Sequence, residues 1–138
     1  LKLLLLTGLG DGDMKLFDNL VRQAKPENQI FSAVDAMLYS SYTLGAPGAI
    51  AAILTAAPGP SVRLWDAVID KDWDTALDLH ERLMPLWDAI GVDNMPSLCK
   101  YAQQLQGLDA GVARRPTSPA TEEQKQLVHS AWKNLDLI

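Results

Sequence analysis

Three short apolar stretches, each trailed by a helical pattern, constrain this chain more than any other feature. They are residues 3–6, closed by Thr7-Gly8; residues 29–32; and residues 48–54, reading GAIAAIL. None alternates apolar with polar positions, as a half-solvated antiparallel strand would. Continuous runs of this kind suit strands covered on both faces, the condition of a parallel sheet. Between the first and second run, Leu16, Phe17, Leu20, Val21 and Ala24 fall on one face of a helix. Asp13 is placed to cap that helix, and Pro26 ends it. After the second run, Asp35 is placed to cap a helix reaching about Leu44, with Gly45 as its stop. Pro58-Gly59-Pro60 reads as a loop, followed by a helix over residues 61–70. Strand–helix units on short connections wind right-handed, so parallel strands are expected near residues 3–7, 29–32 and 48–53. The small residues Ala49, Ala51 and Ala52 suit a crowded interior or a close approach to a ligand.

The pattern changes after Asp70. From Asp72 to Ile90, apolar residues recur at Trp73, Ala76, Leu77, Leu83, Met84, Trp87 and Ile90, with His80 on the same stripe. Pro85 is expected to kink this helix, because it removes an amide donor and crowds the preceding turn. Gly91 stops it, and Asn94 with Pro96 just inside starts another, to about Gln106. Residues 107–119 form an irregular connector. Thr121 and Gln124 then make a capping box for a last helix with the stripe Leu127, Val128, Ala131, Trp132 and Leu135. Residues 1–70 are thus read as βα units and residues 71–138 as a helical extension of the same structural domain.

Charge and cysteine content narrow the function classes. The formal net charge of −5 and the lack of a Lys/Arg cluster argue against nucleic acid or an anionic membrane as partner. Arg114-Arg115, the only adjacent basic pair, sits in the Pro-rich connector. The run at residues 3–6 is far too short to span a bilayer, and it lacks a signal peptide's charged flank. One cysteine, Cys99, rules out an internal disulfide and suits a reducing cytoplasm; its helical neighbours make it a buried structural thiol. The glycine-rich turn at residues 8–13 has the wrong spacing for a dinucleotide fingerprint, and Asp11 and Asp13 would repel a pyrophosphate. Those two carboxylates also fall short of a calcium shell. His80 and His129 have no second ligand at metal spacing, so no metal and no cofactor is expected. The four tryptophans, at positions 65, 73, 87 and 132, read as core or subunit-contact anchors.

Six punctuating motifs occur in a telling order. Ile30-Phe31-Ser32-Ala33-Val34-Asp35 is followed by Leu44-Gly45-Ala46-Pro47-Gly48-Ala49-Ile50. Lys71-Asp72-Trp73 through Ala76 precedes Leu83-Met84-Pro85-Leu86. Asn94 to Tyr101 precedes Gly107-Leu108, then Arg114, Pro116 and Pro119. In this order they resemble the "LGA-x-G", "G-D-x-x-x-A", "L-x-P-L", "N-P-x-x-x-K" and "G-L…R-x-P-x-x-P" elements of the dihydrodipicolinate synthase/N-acetylneuraminate lyase family. The resemblance implies the C-terminal half of a (β/α)8 TIM barrel, about three βα units plus a three-helix extension. It also implies a pyruvate-type aldolase, lyase or dehydratase that works through a Schiff base. The chain begins at Leu1 rather than Met, as a fragment or a processed chain would.

The departures from the family pattern bear on chemistry. The family's relay tyrosine and the threonine pair that binds the oxo-acid carboxylate lie on strands with no counterpart here. Its imine-forming lysine stands five residues before the Asp of a "K-x-x-S-G-D" turn, and counting back from Asp13 reaches Gly8. Lys2 lies too early and Lys15 falls inside the following helix. An iminium is the electron sink that stabilises the carbanion when a carbon–carbon bond breaks, and glycine cannot form one. By the resemblance, three positions at strand C-termini would face a substrate. Asp35 would meet substrate hydroxyls, although a capping role accounts for it equally. Ala33 stands where relatives often place a substrate-contacting glycine. Ile50 matches a residue whose carbonyl faces the lysine, although core packing also accounts for an isoleucine. The expected partners are a 2-oxo acid such as pyruvate and either further copies of the chain or the missing N-terminal half. A non-catalytic half-barrel serving as an assembly module is the alternative.

Overall fold

The computed structural model describes residues 3–7 as a strand and residues 12–135 throughout. The turn at residues 8–11, with Gly8 and Asp11, therefore lies outside the described residues. Strand β1 (Leu3–Thr7) pairs parallel with β2 (Asn28–Ser32), in the register Leu3 with Asn28 through Thr7 with Ser32. Between them runs α1 (Met14–Gln23), capped by the Asp13 carboxylate, which accepts from the Leu16 amide at 3.0 Å. Phe17 is buried, but Leu16 is 38% exposed, so only part of the expected apolar stripe is covered.

The helix after β2 differs from expectation at its start. A 3-10 turn (Asp35–Met37) leads into α2 (Leu38–Thr43), and Val34, not Asp35, occupies the cap position. The winding begins one residue early, so Asp35 lies inside the turn, and Val34 has no side-chain acceptor to offer. The end of α2 is as expected. Gly45 has φ +99°, its amide donates to the Tyr42 carbonyl, and the Ala46 amide donates to the Ser41 carbonyl. That pair of bonds is a Schellman stop, which favours glycine for its left-handed backbone.

The third apolar run also departs from expectation. Instead of a strand over residues 48–53, a single parallel bridge joins Ser32 to Ala49, and the chain then turns into α3 (Ile53–Ala56). Alanine is a strong helix former and a poor strand former, so the segment keeps one ladder rung and then winds. The parallel sense of the bridge is the one a barrel requires. Helix α4 (Pro58–Ile69) begins at Pro58, where a loop was expected. Prolines in a first turn forfeit only amides that have no intrahelical partner.

Helices α5 (Trp73–Ile90), α6 (Met95–Leu105) and α7 (Glu122–Lys133) follow the expected pattern, and Pro85 lies inside α5. Asp72 caps α5 through the Thr75 amide, and the Thr75 hydrogen bonds hold its carboxyl below the usual range. The Thr121–Gln124 capping box is present at the head of α7. Asn94 precedes α6 but makes no capping bond.

The chain forms two compact units, Leu1–Ala51 with Arg63–His80, and Ala52–Val62 with Glu81–Ile138; their boundaries run through α4 and α5. The first unit buries Phe17, Ile30, Leu38, Tyr42 and Leu64, and the Tyr42 ring meets Trp65 edge-on at 5.0 Å. Each such side chain contributes about 1.5–3 kcal/mol relative to exposure. The second unit buries Ile53, Leu83, Leu86, Ile90, Leu98 and Val128. Cys99 is buried there too. In that unit the Ala56 carbonyl, left unpaired by the end of α3, accepts from Gln106 Nε2 at 2.8 Å and from Trp132 Nε1 at 3.1 Å. Trp132 is therefore an internal anchor, whereas Trp73 is exposed. No helix among the described residues is long and apolar enough to cross a membrane.

Candidate active-site face

Ser32, the last residue of β2, fixes the geometry of the candidate site. Its amide donates to the Gly48 carbonyl at 3.1 Å, and its carbonyl accepts from the Ile50 amide at 2.8 Å. Its hydroxyl donates to Ser41 Oγ of α2 at 2.9 Å, with both serines buried. The main chain of Ser32 thus ties the C-terminal end of β2 to the residues 48–50 segment. Its side chain anchors the sheet to the helix lying over it. A buried hydroxyl that found no partner would cost about 1–3 kcal/mol, so each serine accounts for the other.

This pairing sorts neighbouring residues between two faces, because strand side chains alternate and paired residues share a face. Ile30, Ser32 and Ala49 belong to the helix-covered face. Phe31, Gly48 and Ile50 belong to the other, which is the inward face of a barrel. An added Cβ at Gly48 would stand 3.0 Å from the Phe31 ring, which places the ring against that glycine. Ile50 is 52% exposed on this face, so it is not the core residue that an apolar strand would make it.

Two of the three expected substrate-facing positions are thereby brought to one surface. Ala33, half-buried, is the first residue past β2, and continued strand alternation would give it the face of Phe31 and Ile50. Asp35 is buried as the first residue of the 3-10 turn. The expected imine position, Gly8, lies outside the described residues, but β1 itself reads Leu3-Leu4-Leu5-Leu6-Thr7 and contains no lysine. Lys15 is on α1, as its position in the sequence implied. The Ser32–Ser41 pair was missed, since serines nine residues apart carry no visible pairing signal.

The remaining candidates are structural or peripheral. His80 stacks on Tyr39, with ring centroids 5.5 Å apart. His129 and the Arg114-Arg115 pair are exposed. Among the described residues, no three His, Cys, Asp or Glu side chains gather as metal ligands would.

Parallel strands with intervening helices, a face at their C-terminal ends, and a trailing helical extension define the class: the C-terminal half of a (β/α)8 barrel. The model of the dihydrodipicolinate synthetase family matches residues 9–135, and the chain belongs to that family. It is 31% identical over 127 residues to a 4-hydroxy-tetrahydrodipicolinate synthase of Archaeoglobus fulgidus, covering 92% of this chain and 44% of that protein. A synthase of the same name from Parvibaculum lavamentivorans is 35% identical over 107 residues, covering 78% of this chain and 37% of that protein. Among solved structures, a putative dihydrodipicolinate synthetase from Pseudomonas aeruginosa superposes with a TM-score of 0.83 at 23% identity, over 98% of this chain and 46% of that one. N-acetylneuraminate lyase from Fusobacterium nucleatum, complexed with pyruvate, gives 0.78 at 24% identity, over 94% and 42%. The chain thus spans less than half the length of these relatives, aligned to their C-terminal half.

Proposed function

We propose that this chain supplies one half of the mouth of a 2-oxo-acid aldolase or lyase barrel but not its imine-forming amine. The observation that carries this reading is the β1 segment. The strand that runs parallel to β2 holds no lysine, and glycine stands at the position counted back from Asp13. A class I lyase needs a partly desolvated amine, neutral often enough at working pH to attack the substrate carbonyl. No side chain at the end of β1 meets that need. In this reading Ala33 and Ile50 face a bound 2-oxo acid such as pyruvate across the strand ends. Asp35, buried in the 3-10 turn that follows β2, is the group that would meet substrate hydroxyls. Recognition of the carboxylate and proton relay fall to the other half of a barrel, whether carried by the same polypeptide or by another. The reading places the protein in the cytoplasm as a homo-oligomer or as a complex with that other half.

A second reading, an assembly module, is favoured by one observation, the exposure of Ile50 on the inward face. Nuclear magnetic resonance titration with pyruvate separates the two. Saturable shifts at Ala33, Asp35 and Ile50 without a covalent adduct support the 2-oxo-acid face. A spectrum unmoved by pyruvate, in the presence of the complementary half, removes it and leaves assembly.

A further inference from the structure

A cavity of about 240 Å3 lies in the second compact unit, between α6, the connector of residues 107–120 and the start of α7. Its character departs from that of the chain. The protein carries a net charge of −5, yet the walls of this cavity hold two lysines, Lys100 and Lys125, and no acid. The spacing of α6 explains one wall. Leu98, Cys99 and Ala102 are buried on one side of the helix, while Ser97, Lys100, Tyr101 and Gln104 recur at three- and four-residue intervals on the cavity side.

Lys100 is the telling group. Its ammonium donates one hydrogen bond, to the Ala110 carbonyl of the connector, and makes no ion pair among the described residues. An ammonium has three donors and is strongly hydrated, so this cavity-lining one, with a single neutral protein partner, has two donors left for water or a ligand. Lys125 is held differently. Glu122 pairs with it at 2.7 Å, and it stands 5.9 Å above the centre of the Tyr101 ring. The ring gives the cavity a flat apolar wall beside the cationic one. Gly111 also lines the cavity, and an added Cβ there would meet nothing within 4 Å.

We propose that this cavity is a binding site for a small organic carboxylate with an aromatic or short apolar body. The carboxylate accepts from Lys100, and the body lies along the Tyr101 ring. A neutral amide of the same shape offers one uncharged acceptor in place of a carboxylate, so charge decides selectivity. Nothing in this proposal depends on the 2-oxo-acid reading, because the cavity is confined to the other compact unit and needs no imine.

The test uses the whole chain and two probes of one shape, benzoate and its neutral amide, neither of them a 2-oxo acid. Amide resonances of residues 97–101, 111–113 and 117–125 are followed during titration. The expected result is saturable shifts in those segments with benzoate and none of that kind with benzamide. Lys100→Met should weaken benzoate binding about tenfold or more, as loss of a charge-assisted hydrogen bond implies. Lys100→Arg, which keeps the charge, should retain most of it. Because Lys100 also tethers the connector, Lys125→Gln is the companion variant: it removes the second cation without touching that tether and should weaken binding less. Equal shifts with benzamide, non-saturable shifts with benzoate, or binding indifferent to both substitutions would overturn the proposal.

Discussion

Asn94 and Gln124, thirty residues apart, exchange amide hydrogen bonds: Asn94 Nδ2 donates to Gln124 Oε1 at 3.0 Å, and Gln124 Nε2 donates to Asn94 Oδ1 at 2.9 Å. Gln124 Oε1 also accepts from the Thr121 amide, closing the capping box of α7, and Asn94 Nδ2 reaches the Pro119 carbonyl. One buried amide thus ties the head of α6, the end of the connector and the first turn of α7 together. Asn94→Ala should cost about 1 kcal/mol, since it removes three part-buried hydrogen bonds whose other partners keep some access to water. With Gln124→Ala the two effects should be non-additive by about 0.5–3 kcal/mol. Urea unfolding of both single variants and the double variant checks this, and strict additivity would refute the coupling.

Lys71 holds a backbone conformation better suited to glycine. It has φ +61°; its amide donates to the Val68 carbonyl, and the Asp72 amide donates to the Ala67 carbonyl, the same stop that Gly45 makes after α2. A side chain in the left-handed region costs about 1 kcal/mol or more, which glycine avoids. Lys71→Gly should therefore stabilise the chain by about 1 kcal/mol, while Lys71→Ala should leave it nearly unchanged. Thermal melts of the two variants decide; a glycine variant less stable than the parent would show that the lysine side chain contributes more than its backbone costs.

Tyr42 predicts an alkaline limit to stability. Burial pushes its hydroxyl up to about 12, above the ordinary 10.0, because the phenolate would lose its hydration. A raised folded-state value gives a contribution that is complete below the unfolded value and is lost as pH rises through the folded one. Unfolding free energy should hold up to about pH 10 and fall towards pH 12. Tyr42→Phe should flatten that fall, and an unchanged slope in the variant would assign the loss to other groups.

Among the described residues, β1 pairs with β2 alone, so its other edge offers ladder donors and acceptors to whatever lies beside it. Beyond β2, across the Ser32–Ala49 bridge, Ile50 is exposed and adds apolar surface. The 138-residue chain should therefore self-associate, or bind a chain carrying the complementary half-barrel. Sedimentation velocity at micromolar concentration should show species larger than a monomer. A compact monomer that binds no hydrophobic dye would be the contrary result.

The sequence disclosed most where local chemistry and periodicity agreed. Helices α5 and α6 combine apolar stripes with glycine stops, and α7 joins its stripe to a capping box, so little tertiary information was needed. The third run, GAIAAIL, was misread because four of its seven residues are glycine or alanine, equally at home in a buried helix. Asp35 and Asn94 both had the side chains of caps. Asp35 proved to lie one residue inside its turn, and Asn94 proved to serve a contact thirty residues away. Ala33 and Ile50 could be nominated by resemblance, but their common face follows from the Ser32 register, which is a tertiary fact. The proposal that the imine-forming lysine is absent rests on counting back from Asp13 to Gly8.

The central claim is that this chain cannot form an imine. Incubation with pyruvate, reduction with borohydride and mass spectrometry of the peptides test it directly, across the pH range in which the protein is folded. Unmodified peptides are expected throughout, including those containing Lys2 and Lys15. A borohydride-stable pyruvyl adduct on either lysine would contradict it, and would locate the nucleophile that the β1 segment lacks.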